Sequence, residues 1–128
     1  MALDKLPKDT DTPIQITLKD ASGTAIDLDG LSGIVVIVFQ ERCEFDRFSL
    51  NTQTGYGDVV KTDAINGELT VYLNASKTVN GIVGKSVYYE VKTQAVDTNF
   101  ENSTVEKSTG RVEFATLVNT DLKNVTFA

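Results

Sequence analysis

The sequence predicts an all-β fold in which two antiparallel sheets pack face to face. The first observation behind this prediction is an apolar run over residues 33–40, which consists almost entirely of β-branched and aromatic residues. The run is too short to span a membrane, so we expect a central strand covered on both faces by packed layers. The second observation is the alternation of apolar and polar residues over 14–18, 69–73 and 87–95, which is typical of strands with one buried face. A two-sheet sandwich or a small barrel satisfies both.

The N-terminal half begins with a polar segment and then alternates between strands and turns. Residues 1–12 carry Pro7 and no apolar run, and they are expected to be a loose extended arm. A strand over 14–18, a turn at 20–23 and a short return strand over 25–28 follow. The apolar residues of 41–50 fit neither periodicity, which predicts a strand with a bulge. The polar, glycine-flanked segment 51–57 is predicted to be an exposed hairpin loop.

The C-terminal half also alternates between predicted strands and turns. Val59 begins a short strand, and Asn66 followed by Gly67 indicates a tight hairpin turn before the strand at 69–73. Residues 74–84 are too few for a full helix and suggest a helical turn or a crossover loop. After the long alternation at 87–95 we expect a polar loop over 97–109, in which Phe100 is the one candidate for burial. The last strand covers 111–117.

About eight short strands at regular intervals, with turn signals between them and no long helix, predict an antiparallel immunoglobulin-like β-sandwich of about seven to nine strands. The chain of 128 residues is the right length for one domain with its own core. The predicted organisation is an N-terminal arm at 1–12, the sandwich at 13–118 and a C-terminal tail at 119–128.

Composition narrows the classes of partner. Twelve Lys and Arg against eighteen Asp and Glu give a net charge of -6, which repels nucleic acids and anionic membrane surfaces. The single cysteine, Cys43, has no partner for an internal disulfide, which favours folding in a reducing cytoplasm. No segment approaches the length of about 20 apolar residues that a spanning helix needs, and residues 1–12 lack the apolar run of a signal peptide. Neither nucleic acid nor membrane is an expected partner.

The sequence contains no residue pattern that indicates catalytic activity. The chain has no histidine, which excludes imidazole-activated nucleophiles and histidine-based zinc sites. Cys43 follows Arg42 and is either a thiol of lowered pKa or a small, partly buried strand residue, and the second interpretation is favoured. Asp27 and Asp29 match a fragment of a calcium loop or a strand-end turn, and the missing remainder of the loop pattern favours the turn. We expect no enzyme activity, catalytic residue, cofactor or metal.

Two groups of residues are candidates for partner binding. Three tyrosines are expected on the surface, where they either stack on sugar rings or serve only as good strand residues. The terminal arms add apolar residues that are suited to contacts with neighbouring subunits. The candidates are Leu3, Leu6, Tyr56, Tyr72, Tyr88 and Phe127.

The order of turn and strand motifs carries a resemblance to a known family. These motifs are Asp11 to Pro13, Asp20 to Gly23, Ile26 to Leu31, Asp63 to Gly67 and Tyr88 to Val91. Over roughly 12–118 the chain resembles the N-terminal immunoglobulin-like domain of phage baseplate upper proteins and related small phage virion proteins. No receptor-binding or fibre domain follows, which favours an adaptor, a capsid decoration protein or a subunit that anchors head fibres.

The resemblance implies a noncatalytic structural protein of a tailed-phage virion, assembled in the cytoplasm of the host bacterium. Its expected partners are other virion proteins and copies of itself, bound through sheet edges and arms. The alternative is a β-sandwich module that binds glycans or another component of the host surface, through Tyr56, Tyr72 and Tyr88.

Overall fold

A computed structural model describes residues 4–120, and these residues form two β-sheets that pack face to face. The strands, in chain order, are β1 (Asp4–Pro7), β2 (Thr12–Thr17), β3 (Gly33–Gln40), β4 (Cys43–Ser49), β5 (Gly57–Asp58), β6 (Val60–Asp63), β7 (Glu68–Leu73), β8 (Ser86–Val96), β9 (Thr104–Ser108) and β10 (Val112–Val118). Short 3-10 turns lie at Leu28–Gly30, Ala75–Thr78 and Glu101–Ser103.

The strand order confirms the immunoglobulin-like sandwich. The larger sheet has the order β1-β10-β8-β3-β4-β5, with β9 also pairing with β8, and the smaller sheet has the order β2-β7-β6. When β2 to β8 are lettered B, C, C′, C″, D, E and F, and β10 is lettered G, the sheets read G-F-C-C′-C″ and B-E-D. This is the division of strands found in variable-type immunoglobulin domains.

The central strand β3 is covered differently on its two faces. Alternate residues from Ile34 to Val38 are buried in the core between the sheets, whereas those between them are only half-buried. The expectation of a packed layer on both faces is therefore not met. The outer face is covered instead by long side chains of the same sheet, because Glu90 and Lys92 of β8 lie opposite Ile37 and Val35.

The predicted bulge lies in β4. Residues 44 and 46 pair with consecutive residues of β3, so Phe45 is the extra residue between them. The extra residue resets the alternation of side chains, and Phe45 and Phe48 both reach the core although they are three positions apart. This arrangement explains why the apolar residues of this segment fit neither periodicity.

The N-terminal segment is part of the sandwich and not a loose arm. Strand β1 pairs in parallel with β10, and Leu6, which lies opposite Leu117, is only 2% exposed. The backbone N–H of Asp9 then donates to the hydroxyl of Thr78 at 2.9 Å. Leu6 was a candidate for partner binding, but it is a core residue because its side chain fills the space between the sheets. Residues 1–3 and 121–128, which include Leu3 and Phe127, lie outside the described part.

Two further segments differ from expectation. The return strand predicted over 25–28 is reduced to one bridge between Lys19 and Ala25, because the carboxylate of Asp27 accepts a hydrogen bond from Asp29 N–H and starts a 3-10 turn. The loop predicted over 97–109 contains β9, which pairs with the C-terminal part of β8 to form a hairpin in the larger sheet. Phe100 lies near the tip of this hairpin and is 54% exposed instead of buried.

Candidate docking surface

A buried side chain fixes the loop between β7 and β8. Gln40 ends β3 and is 2% exposed. Its side-chain oxygen accepts a hydrogen bond from Ile82 N–H at 2.7 Å, and its nitrogen donates to the carbonyl oxygens of Ile82 at 2.9 Å and Lys85 at 3.2 Å. The segment 82–85 belongs to neither sheet, and the Gln40 side chain supplies the hydrogen-bond partners that a neighbouring strand would otherwise give its backbone.

The same loop lies directly on the core. A Cβ added at Gly81 would come within 2.5 Å of Leu117 Cδ2 and 2.9 Å of Phe45 Cζ, so the site accepts only glycine without rearrangement. The N–H of Gly84 donates to the carbonyl of Leu117 at 2.8 Å, and Leu117 N–H donates to the carbonyl of Lys85 at 3.1 Å. Hydrogen bonds and packing together hold the loop backbone in one conformation.

This ordered loop presents apolar side chains to solvent. Val79 is 55% exposed, Ile82 is 54% exposed and Val83 is 39% exposed. We call these three residues the 79–83 surface. Apolar side chains concentrated on the surface of a soluble domain are typical of an interaction site.

A groove borders the 79–83 surface at Ile82. It has a volume of about 480 Å³, and its walls carry the charged residues Glu41, Arg42 and Lys85. The groove also reaches Tyr88, whose ring stacks on Phe39 with 5.7 Å between ring centroids. An apolar centre beside charged groups is the arrangement found in protein–protein interfaces, where the polar rim sets orientation.

The ring of Tyr88 is in contact with a second aromatic ring and with a guanidinium group. The guanidinium of Arg111 lies 4.8 Å from the centroid of Tyr88 and 5.2 Å from that of Phe39, and it pairs with Glu41 at 3.6 Å. Arg111 therefore contacts both rings, and Phe39, Tyr88 and Arg111 form one cluster. This cluster covers the end of the outer face of β3 and closes one side of the groove.

The structure does not bring the three candidate tyrosines together. Tyr72 is exposed on β7 of the smaller sheet, whereas Tyr88 belongs to the larger sheet. Tyr56 lies against Arg47, which donates to its hydroxyl at 3.2 Å. Arg47 also donates to the carboxylate of Glu44 at 2.9 Å, and this hydrogen bond raises the pKa of Arg47 above its usual range. Tyr72 therefore lies on a different sheet from Tyr88, and the three tyrosines do not form one common platform.

The residues considered for metal or thiol chemistry have structural surroundings. Asp27 accepts the turn hydrogen bond from Asp29 N–H at 3.0 Å, and the carboxylate of Asp29 pairs with Lys61 at 2.9 Å. Within residues 4–120, no group of three or more Cys, Asp and Glu side chains is placed to hold a metal ion. Cys43 is half-buried at the start of β4, with its sulfur 3.7 Å from the carbonyl of Asn80.

The 79–83 surface was missed as a site from the sequence. The available signal was the presence of three apolar residues beside Gly81 and Gly84, in a segment too short to bury them all. The described part of the chain also contains no helix with the length and apolar character that a bilayer crossing requires. Comparison with protein-family models, curated proteins and solved structures finds no match for this chain.

Proposed function

We propose that this protein is a noncatalytic structural protein of a tailed-phage virion, and that it docks to neighbouring virion proteins through the 79–83 surface. The observation that carries the docking function is an exposed apolar surface on a loop that Gln40 holds in place. The resemblance to phage baseplate upper proteins supports the virion setting. A tail or baseplate adaptor, a capsid decoration protein and a head-fibre anchor are the three forms that this proposal covers.

Order in the loop favours binding because little conformational entropy remains to be lost on association. Each of the three side chains is about half exposed, so covering it contributes roughly 1 kcal/mol, or about 3 kcal/mol for the whole surface. Such a contribution is modest for a single contact. A second contact made by the same chain adds to it, because a chain that is already attached forms the second contact at a high effective concentration.

The proposal is tested by cross-linking inside purified particles. A photoreactive amino acid replaces Ile82 in the full chain, which is supplied during growth of the phage or prophage that carries the gene. Thr52 is the matched control position, since it is also exposed but lies at the other end of β3, where Asn51 donates to the carbonyl of Ser32. We expect the chain in purified particles and a cross-link from position 82 to one virion protein. Particles without the chain, or cross-links from position 52 alone, would contradict the proposal.

A further inference from the structure

The sandwich has an open groove between the edges of its two sheets. Strand β1 forms the edge of the larger sheet and β2 the edge of the smaller sheet, and both line a groove of about 610 Å³. Its floor is the ring pair of Tyr89 and Phe114, whose centroids are 5.5 Å apart. Burial raises the pKa of Tyr89, as expected for a hydroxyl beside apolar groups. The groove shares no residue with the 79–83 surface.

The edge of β2 offers unpaired backbone groups. The N–H of Leu18 donates to the carbonyl of Gly67 at 2.8 Å, and the pairing of β2 with β7 continues in the same register. Because backbone groups alternate in direction along a strand, the N–H and C=O groups of Gln15 and Thr17 point away from β7. Pro13 has no N–H and lies at the equivalent position, as expected for an edge strand. Within residues 4–120, no other strand pairs with this edge.

The position beside β2 corresponds to a strand that other immunoglobulin-like sandwiches possess. In sheets of the order A-B-E-D, the first strand pairs with B. Here the first strand, β1, pairs instead with β10 in the larger sheet, and the smaller sheet stops at β2. Among residues 4–120, one strand position is therefore unfilled, next to an apolar floor.

We propose that this groove accepts an extended strand from another protein chain, which pairs with β2 and places alternate apolar side chains over Tyr89 and Phe114. An extended polypeptide fits this edge because its N–H and C=O groups match those of Gln15 and Thr17 at the spacing of a sheet. The proposal rests on the docking function, since it names an extended arm of a neighbouring virion protein as a second partner.

The test uses the full chain with a probe strand fused to its N-terminus. The probe is an alternating Thr-Val strand of about seven residues, and a Gly-Ser linker of about ten residues gives it a reach of about 17 Å. At the millimolar effective concentration that such a tether provides, a dissociation constant of about 0.1 mM gives about tenfold protection. We therefore expect amide exchange at Gln15 and Thr17, measured by NMR, to slow about tenfold relative to a fusion that carries only the linker.

Two controls decide whether the protection comes from strand addition. A probe with serine in place of each valine keeps the backbone but loses the apolar contacts, so the protection should disappear. Gln15→Pro removes an outward N–H, whereas Gln15→Ala keeps it, so only the proline variant should lose protection at Thr17. Unchanged exchange with the Thr-Val probe, or equal protection with the serine probe, would overturn the proposal. Both readouts are independent of cross-linking at position 82, so failure here is distinguishable from failure of the docking function.

Discussion

Replacing Gln40 with leucine tests whether this side chain orders the 79–85 loop. Leucine has a similar size and fits an apolar neighbourhood, but it can neither accept from Ile82 N–H nor donate to the carbonyls of Ile82 and Lys85. The substitution removes three hydrogen bonds at a buried position. It leaves the loop backbone without its partners unless the loop opens to water.

The magnitude follows from the number of bonds. A hydrogen bond contributes about 0.5–1.5 kcal/mol net, so the loss of three amounts to about 1.5–4.5 kcal/mol. Burial of the leucine side chain offsets roughly 1 kcal/mol of this. We therefore expect the free energy of unfolding to fall by about 0.5–3.5 kcal/mol, and the amide of Ile82, which loses its acceptor, to exchange at least about tenfold faster.

Urea unfolding and amide exchange measure the two effects. Gln53→Leu makes the same chemical change at an exposed loop position, and it should alter the free energy of unfolding by less than about 0.5 kcal/mol. If Gln40→Leu loses no more stability than Gln53→Leu and the exchange of Ile82 is unchanged, the loop is ordered by something other than Gln40. The reasoning behind the docking surface would then be refuted.

Three further predictions follow from the structure. Gly67→Ala should lower the free energy of unfolding, measured in urea, by more than about 2 kcal/mol, because Gly67 has φ +72° and the added Cβ would clash with the backbone oxygens of Leu18 and Ile26. Gly23→Ala is the control, since Gly23 has φ +82° but no atom near the added Cβ, and it should lower the free energy of unfolding by only about 1 kcal/mol. Burial raises the pKa of Tyr89, so the hydroxyl loses its proton at a lower pH in the unfolded state than in the folded state. The free energy of unfolding should therefore fall as the pH rises above the ordinary tyrosine pKa of about 10, and Tyr89→Phe should reduce this fall. Arg111→Ala removes two cation–π contacts and should lower the free energy of unfolding by about 1–2 kcal/mol. An unchanged free energy of unfolding would show that these contacts do not stabilise the fold.

The strands that were predicted correctly are those in which the sequence of apolar and polar residues follows the burial of their side chains. Residues 14–18, 69–73 and 87–95 alternate because one face of each strand packs on the core, and the irregular spacing of Phe45 and Phe48 indicated the bulge. These signals are local in sequence. The same local patterns predicted the sandwich architecture, because short strands with turns between them can pack in only a few arrangements.

The elements that were missed depend on distant partners. Strand β1 contains one buried apolar residue, Leu6, and exists because β10 provides an edge at the other end of the chain. Strand β9 is mostly polar and exposed, and it is held by pairing with β8 and not by burial. No local pattern distinguishes such segments from loops.

The candidate site was hidden for the same reason. The sequence shows apolar residues between 79 and 83, but it does not show that a glutamine 42 positions earlier holds their backbone. Without that contact, a loop next to the core is expected to bury its apolar residues. The terminal residues Leu3 and Phe127 stay predictions, since they lie outside residues 4–120.

The central claim is that the 79–83 surface attaches this chain to its neighbours in a particle. The most direct measurement is the copy number of the Ile82→Lys variant in purified particles, compared with that of Thr52→Lys. Both changes affect exposed side chains and should leave the free energy of unfolding within about 0.5 kcal/mol. We predict that Ile82→Lys lowers incorporation at least about tenfold, since a lysine in an apolar contact costs more than about 1.4 kcal/mol, while Thr52→Lys is incorporated normally. Incorporation of a folded Ile82→Lys protein at the normal copy number would contradict the account.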